Sequence, residues 1–247
     1  MNHQASLKVY KAQTKNVHAL DQAVKHINRT INNALKIGDR TSASIHTQVL
    51  ALTYSAWAEV SFSKLIHTPH GLKLTEIQQI KTEQKKGLEK GWEQCVDLAL
   101  KKVNPKKTGE VSNKRQQLLK IIKQYIIEPS LLRNKIAHGQ WAIALNRSNT
   151  AVNNESTKSL AALDAVAVNI WFQVYKYLEL IVEDLIESPE KTHERDYWLH
   201  LTKLEQYLRR TRSWTLEDKV RMLQEKHSHK WKPTRKKAGG DGGGATV

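Results

Sequence analysis

The stretch Ser130–Leu145, "SLLRNKIAHGQWAIAL", places Arg133, Asn134 and His138 in an otherwise apolar run and follows the histidine at once with Gly139. On a helix of 3.6 residues per turn, Leu132 and Ile136 share one face, while Asn134 and His138, also four apart, lie roughly 200° away from it. The polar pair therefore looks away from the core. Arg133 sits about 100° from each face, and its long guanidinium is expected to reach the imidazole's side. Gly139 reads as the C′ glycine that closes the helix. A helix that buries one side and carries polar chemistry on the other sets the pattern for the whole chain, whose periodicity is almost purely helical.

On the N-terminal side, Val17, Leu20, Val24, Ile27, Ile31 and Leu35 recur three or four apart until "GDR" stops the first helix at Gly38. Thr41 or Ser42 is expected to cap a second helix to about Ile66, with Val49, Leu50, Thr53, Trp57 and Val60 inward, before "HTPHG". "TEIQ" at Thr75–Gln78 matches a capping box, opening one charged helix to about Val103. A fourth helix from Ser112 to Ile127 meets Pro129, which should end or kink it and start the short helix of the opening stretch.

On the C-terminal side, the alternation of Trp141, Ile143 and Leu145, a polar "NRSN" turn, then Thr150 and Val152 predicts a small β-hairpin. Ser156 or Thr157 should cap one long central helix to about Glu187, ended by Pro189. Amphipathic helices around Trp198, Leu201, Leu204 and Leu208, then Leu216, Val220 and Leu223, follow. The division expected is a bundle over 1–189, a basic helical extension over 190–235 and a disordered tail over 236–247, where "KKAGGDGGGATV" offers nothing to bury. The fold class is all-α. Trp57, Trp92, Trp171 and Trp198 read as core residues, and Cys95 as a partly buried thiol on the charged third helix.

Charge narrows the partner. Forty Lys and Arg against 24 acidic residues give a formal charge of +16 in 247 residues, which points to a polyanion and to nucleic acid before a membrane surface. Arg209–Lys237 holds 11 basic and 3 acidic residues, hence +8, interleaved with Trp214, His227, His229 and Trp231. Arg209, Arg210, Arg212, Trp214, Arg221, Lys230, Trp231 and Lys232 are the expected RNA contacts, cations for phosphates and indoles for unpaired bases. The single cysteine and an N-terminus without an apolar signal core imply a cytoplasmic protein. The most apolar stretch, Leu160–Glu187, is broken by Asp164, Asn169, Gln173, Lys176 and Glu179, so no membrane span is expected. No cofactor and no metal are expected: "HSH" at 227–229 lacks further ligands at suitable spacing.

An arginine followed five to seven positions later by histidine occurs four times, at Arg40/His46, Arg133/His138, Arg195/His200 and Arg221/His227. Context selects Arg133/His138, through the polar neighbour, the one-sided apolar helix and the terminating glycine. "RNKIAH" resembles the signature motif of the HEPN superfamily. That resemblance implies a helical bundle, usually dimeric, and in many members a metal-independent endoribonuclease of toxin–antitoxin, antiviral defence or CRISPR effector systems. It implies Arg133 and His138 as the catalytic pair with Asn134 at the polar position, a homodimer, and an antitoxin, guide or regulatory RNA as a further partner. The residue types suit the chemistry. Histidine titrates nearest neutrality and can take the 2′-hydroxyl proton or supply the 5′-oxygen, and arginine carries a permanent cation for the phosphorane charge. The alternative reading is a helical RNA-binding or scaffold protein without catalysis.

Overall fold

The computed structural model describes residues 2–103, 108–189 and 192–230, with the side chains of 108–109, 192–194 and 227–230 left aside. Trp231, Lys232 and the tail 236–247 lie outside the described residues, as does the side chain of Lys230. Helices α1 (His3–Lys36), α2 (Arg40–Ile66), α3 (Leu74–Gln84), α4 (Leu88–Leu100), α5 (Thr108–Ile122), α6 (Glu128–Ala137), α7 (Asn154–Ala161), α8 (Ala165–Glu187), α9 (Thr192–Thr211) and α10 (Leu216–Lys230) follow in order. The chain is all-α.

The core lies between α2 and α8. Tyr54, Trp57 and Phe62 from α2 meet Phe172 and Tyr175 from α8 and Trp92 from α4, with ring centroids 4.3–5.8 Å apart in the Tyr54–Phe172, Trp57–Phe172, Trp57–Tyr175, Phe62–Trp92 and Trp92–Tyr175 pairs. Such offset and edge-on pairs add to the burial of large apolar surfaces. Helix α2 is buried at Leu50, Ala51, Tyr54, Trp57, Ala58, Phe62 and Leu65, one arc of about 140° and so a broad inward face that places it at the centre of the bundle. Helix α8 is long and apolar enough to cross a membrane by length and composition, but Val168, Phe172, Tyr175, Leu178, Ile181, Val182, Leu185 and Ile186 are buried in this core.

Two expected elements divide. The third helix is two: Lys85, Lys86 and Gly87, the last at φ +157°, separate α3 from α4. Half of a capping box sits two residues earlier than "TEIQ" suggests: the Lys73 N–H donates to Glu76 Oε2 at 2.6 Å, and the lysine side chain has no acceptor to complete it. The long central helix is also two, because Asp164 caps α8 by accepting from the N–H groups of Val166 and Ala167 at 2.7 and 2.8 Å, and Asn153 caps α7. An aspartate with two backbone donors in reach makes a new helix start more favourable than continuation. Cys95 is fully buried on the amphipathic α4, and burial pushes its thiol up to about 12. Trp198 is not a core residue: it is 54% exposed, 100° round α9 from the buried Tyr197, which with Leu201 and Leu204 forms that helix's inner side.

Pro129 neither ends the helix nor merely kinks it. A five-residue π-helical segment, Lys123–Ile127, joins α5 to α6. The carbonyl of Tyr125 is the one a Pro129 N–H would have used, and it accepts instead from the Tyr54 hydroxyl at 2.6 Å. Tyr54 is buried and its hydroxyl pKa is raised by burial, so this donor has no water to turn to. Tyr54→Phe should therefore leave a carbonyl without its donor and cost about 1–3 kcal/mol in a denaturant titration; a loss below the fitting error would mean that the π segment holds without Tyr54.

Candidate active site

The end of α6 is fixed by a complete Schellman closure. His138 is its C-cap, with its N–H donating to the Asn134 carbonyl at 3.1 Å. Gly139 takes the left-handed conformation at φ +78° and donates to the Ile136 carbonyl at 3.0 Å, and the Gln140 N–H reaches the Lys135 carbonyl at 2.9 Å. Trp141 braces the turn: its indole N–H donates to the Ile136 carbonyl at 3.0 Å, and its own carbonyl accepts from Gln48 of α2 at 2.9 Å. The imidazole of His138 is thus carried on a rigid corner.

The expected β-hairpin is reduced to one antiparallel bridge, Leu145 with Val152, and among the described residues there is no strand. The alternation fails because Ala144 is buried while Ile143 is 56% exposed. Polar side chains take the backbone groups that a ladder would need. Thr157 Oγ1 accepts from the Ala144 N–H at 3.0 Å, Gln140 Oε1 accepts from the Leu145 N–H at 2.8 Å, and Lys135 Nζ donates to the Leu145 carbonyl at 2.5 Å.

A groove of about 1280 Å³ opens between α6, this loop, α7 and the start of α8. Asn134 and His138, both exposed, line it, so the geometry brings those two residues together on one wall. Arg133 lies elsewhere. It turns to α2, where its guanidinium meets Glu59 Oε1 at 2.5 Å, and its Nε is buried without a hydrogen-bond partner. The expectation that Arg133 reaches the imidazole's side is therefore corrected within one chain: residues five apart point about 140° away from each other, and a carboxylate waits on the other side. Glu59 lies 74 positions away in sequence, and no local signal marks it.

The groove itself is mixed in charge, with Lys135 and Arg147 against Glu128 and Glu155. No described residue of α9 or α10 lines it. Tyr207 is within electrostatic reach of Tyr125, next to the groove residue Gln124, and Lys219 is within reach of Asp164, next to the groove residue Leu163. Arg209, Arg210, Arg212, Trp214 and Arg221 are all exposed around the α9–α10 corner, with Arg221 held by Asp218. Leu201 and Leu223 tie α9 and α10 into the same core as the other helices.

The competing Arg/His spacings do not assemble a pair. Arg195 is bound by its neighbour Asp196, while His200 Nε2 faces Asp184 Oδ2 at 3.4 Å. His46 uses Nδ1 on the Ser42 carbonyl at 2.7 Å, and the side chain of His227 lies outside the described residues with that of His229. Among the described residues no group of three or more His, Cys, Asp or Glu side chains could hold a metal ion. No protein-family model matches the chain, and neither do any curated protein or solved structure.

Proposed function

We propose that this chain is a metal-independent endoribonuclease of HEPN type, acting in the cytoplasm as a homodimer on RNA in a toxin or antiviral defence system. The observation that carries the reading is the placement of His138: an exposed imidazole on a locked helix end, beside Asn134, over an open groove large enough for a nucleotide segment. In that role His138 exchanges protons with the 2′-hydroxyl and 5′-oxygen, Asn134 orients the ring from one turn below, and Arg133 takes the phosphorane charge.

The Arg133–Glu59 pair sets a condition on this chemistry. Glu59 is 54% exposed, and a pair of that kind is worth about 0.2–1 kcal/mol, so an RNA phosphate or a second subunit can displace it. Leu131, 60% exposed on the groove wall, and Ile143 nearby in the loop are large apolar side chains that a second copy would cover. A two-fold contact across α6 would bring the Arg133 of one protomer toward the His138 of the other. The same salt bridge favours a second reading, in which Arg133 is structural and the protein binds RNA without cutting it. Cleavage of labelled RNA in chelator separates the two: cutting supports the nuclease, and binding without cutting supports the RNA-binding protein.

A further inference from the structure

Helix α1 carries a charge pattern that the candidate active site does not use. Its inner side packs Val17, Leu20, Val24 and Ile27 on the core and buries Ile31, Ala34 and Leu35. On the opposite side Lys8, Lys11, Lys15, Lys25 and Arg29 are all exposed. At 100° per residue these five fall within an arc of about 100°, and at 1.5 Å per residue they extend for about 30 Å along one straight helix. His18 and Gln22, also exposed, fill the gap in the row. The only carboxylate of α1, Asp21, lies about 40° outside the arc and faces Lys176 of α8 at 4.0 Å. Among the described residues none of the five cations has an ion-pair or side-chain hydrogen-bond partner.

Five unpaired like charges in register repel one another, and an extended polyanion laid along the row would relieve that repulsion. We propose that this ridge is a second nucleic-acid interface, which lies along the phosphate backbone of double-stranded RNA. The row contains no exposed Phe, Tyr or Trp, and the small imidazole of His18 is its single ring, so it offers charge with little platform for unpaired bases, unlike the α9–α10 corner with Trp214. A stiff line of cations matches the regular phosphates of a duplex better than a flexible single strand. A membrane surface fits less well, because the apolar side of α1 that would enter lipid is already committed to the core. The choice of RNA over DNA rests on the proposed function; the ridge itself does not depend on cleavage.

The test is fluorescence anisotropy of the full chain with an RNA duplex longer than the ridge, from about 50 to about 200 mM salt. The triple variant Lys11→Glu, Lys15→Glu, Lys25→Glu should flatten the plot of log K against log salt by about 2–3, near 0.9 for each lost phosphate contact. A charge-matched control, Lys85→Glu, Lys101→Glu, Lys120→Glu, on exposed positions just past the ends of α3 and α4 and on α5, should lose distinctly less. The corresponding Lys→Gln triple removes charge without adding any and should flatten the slope in the same direction if the Glu triple folds poorly. A ridge variant no weaker than the control overturns the proposal, as does ridge-dependent binding of phosphatidylserine vesicles tighter than that of the duplex. Cleavage of a short single-stranded oligonucleotide by the same variants keeps the two readings apart. Duplex binding that needs the ridge in a protein that cuts nothing leaves the ridge standing and removes the nuclease. Undiminished cleavage with ridge-independent binding does the reverse.

Discussion

Replacing His138 with Ala should slow RNA cleavage by about 10²–10⁴-fold, the range that general acid–base catalysis supplies. In the proposed reaction the 2′-oxygen attacks phosphorus as its proton passes to a base, the bond to the 5′-oxygen breaks, and a proton is delivered to that oxygen, leaving a 2′,3′-cyclic phosphate and a 5′-hydroxyl. DNA, which lacks the attacking oxygen, should resist, and the rate should persist in EDTA. His138 is well placed for a clean test. Its ring is exposed and its structural contribution is the backbone N–H at the helix end, which Ala retains, so the thermal midpoint should stay near that of the wild type. Arg133→Lys should also be slow, since an ammonium does not fork onto two phosphate oxygens. Asn134→Ala should cost less than either. Equal rates for His138→Ala and wild type would remove the catalytic assignment.

A heterodimer made from two inactive chains, one Arg133→Ala and one His138→Ala, should recover about half the wild-type rate. Within one protomer Arg133 is bound to Glu59 on the α2 side of α6 and His138 faces the groove, about 140° away round the helix. If the working pair forms across a two-fold axis, one of the two sites in the heterodimer takes both of its residues from unaltered positions, and the other takes neither. Co-expression with two affinity tags and tandem purification isolates that species, while each homodimeric variant stays low. A heterodimer as inactive as its parents would place the pair in one chain or remove Arg133 from the chemistry, and a wild-type particle of monomer mass, alone and with RNA, would remove the dimer. Freeing Arg133 through Glu59→Gln offers a check in the other direction, since it should not impair cleavage if the salt bridge is only a resting position.

Much of the helix pattern is legible in the sequence because it is local. Gly38 and Gly139 take positive φ where the chain leaves a helix, and the inward residues of α1, α8 and α9 follow the 3.6-residue period. The errors arise where side chains compete for backbone groups. Asp164 starts a helix inside an apolar run, and Thr157, Gln140 and Lys135 take up the groups that the Trp141–Leu145 alternation would have used in a strand. Trp198 misled because a tryptophan at helical spacing looks inward until its neighbour Tyr197 is known to hold the inner position.

The sequence by itself determined that the chain is all-α, that α6 ends at His138 with Asn134 one turn below on the same side, and that the molecule carries a large excess of positive charge, since each depends on residue spacing or composition alone. Only the tertiary structure decided what faces what. The Tyr54 hydroxyl occupies the carbonyl that Pro129 frees, Glu59 takes Arg133 away from the groove, and α1 turns five unpaired cations to solvent, because each is settled by which helices pack together across tens of residues of intervening chain.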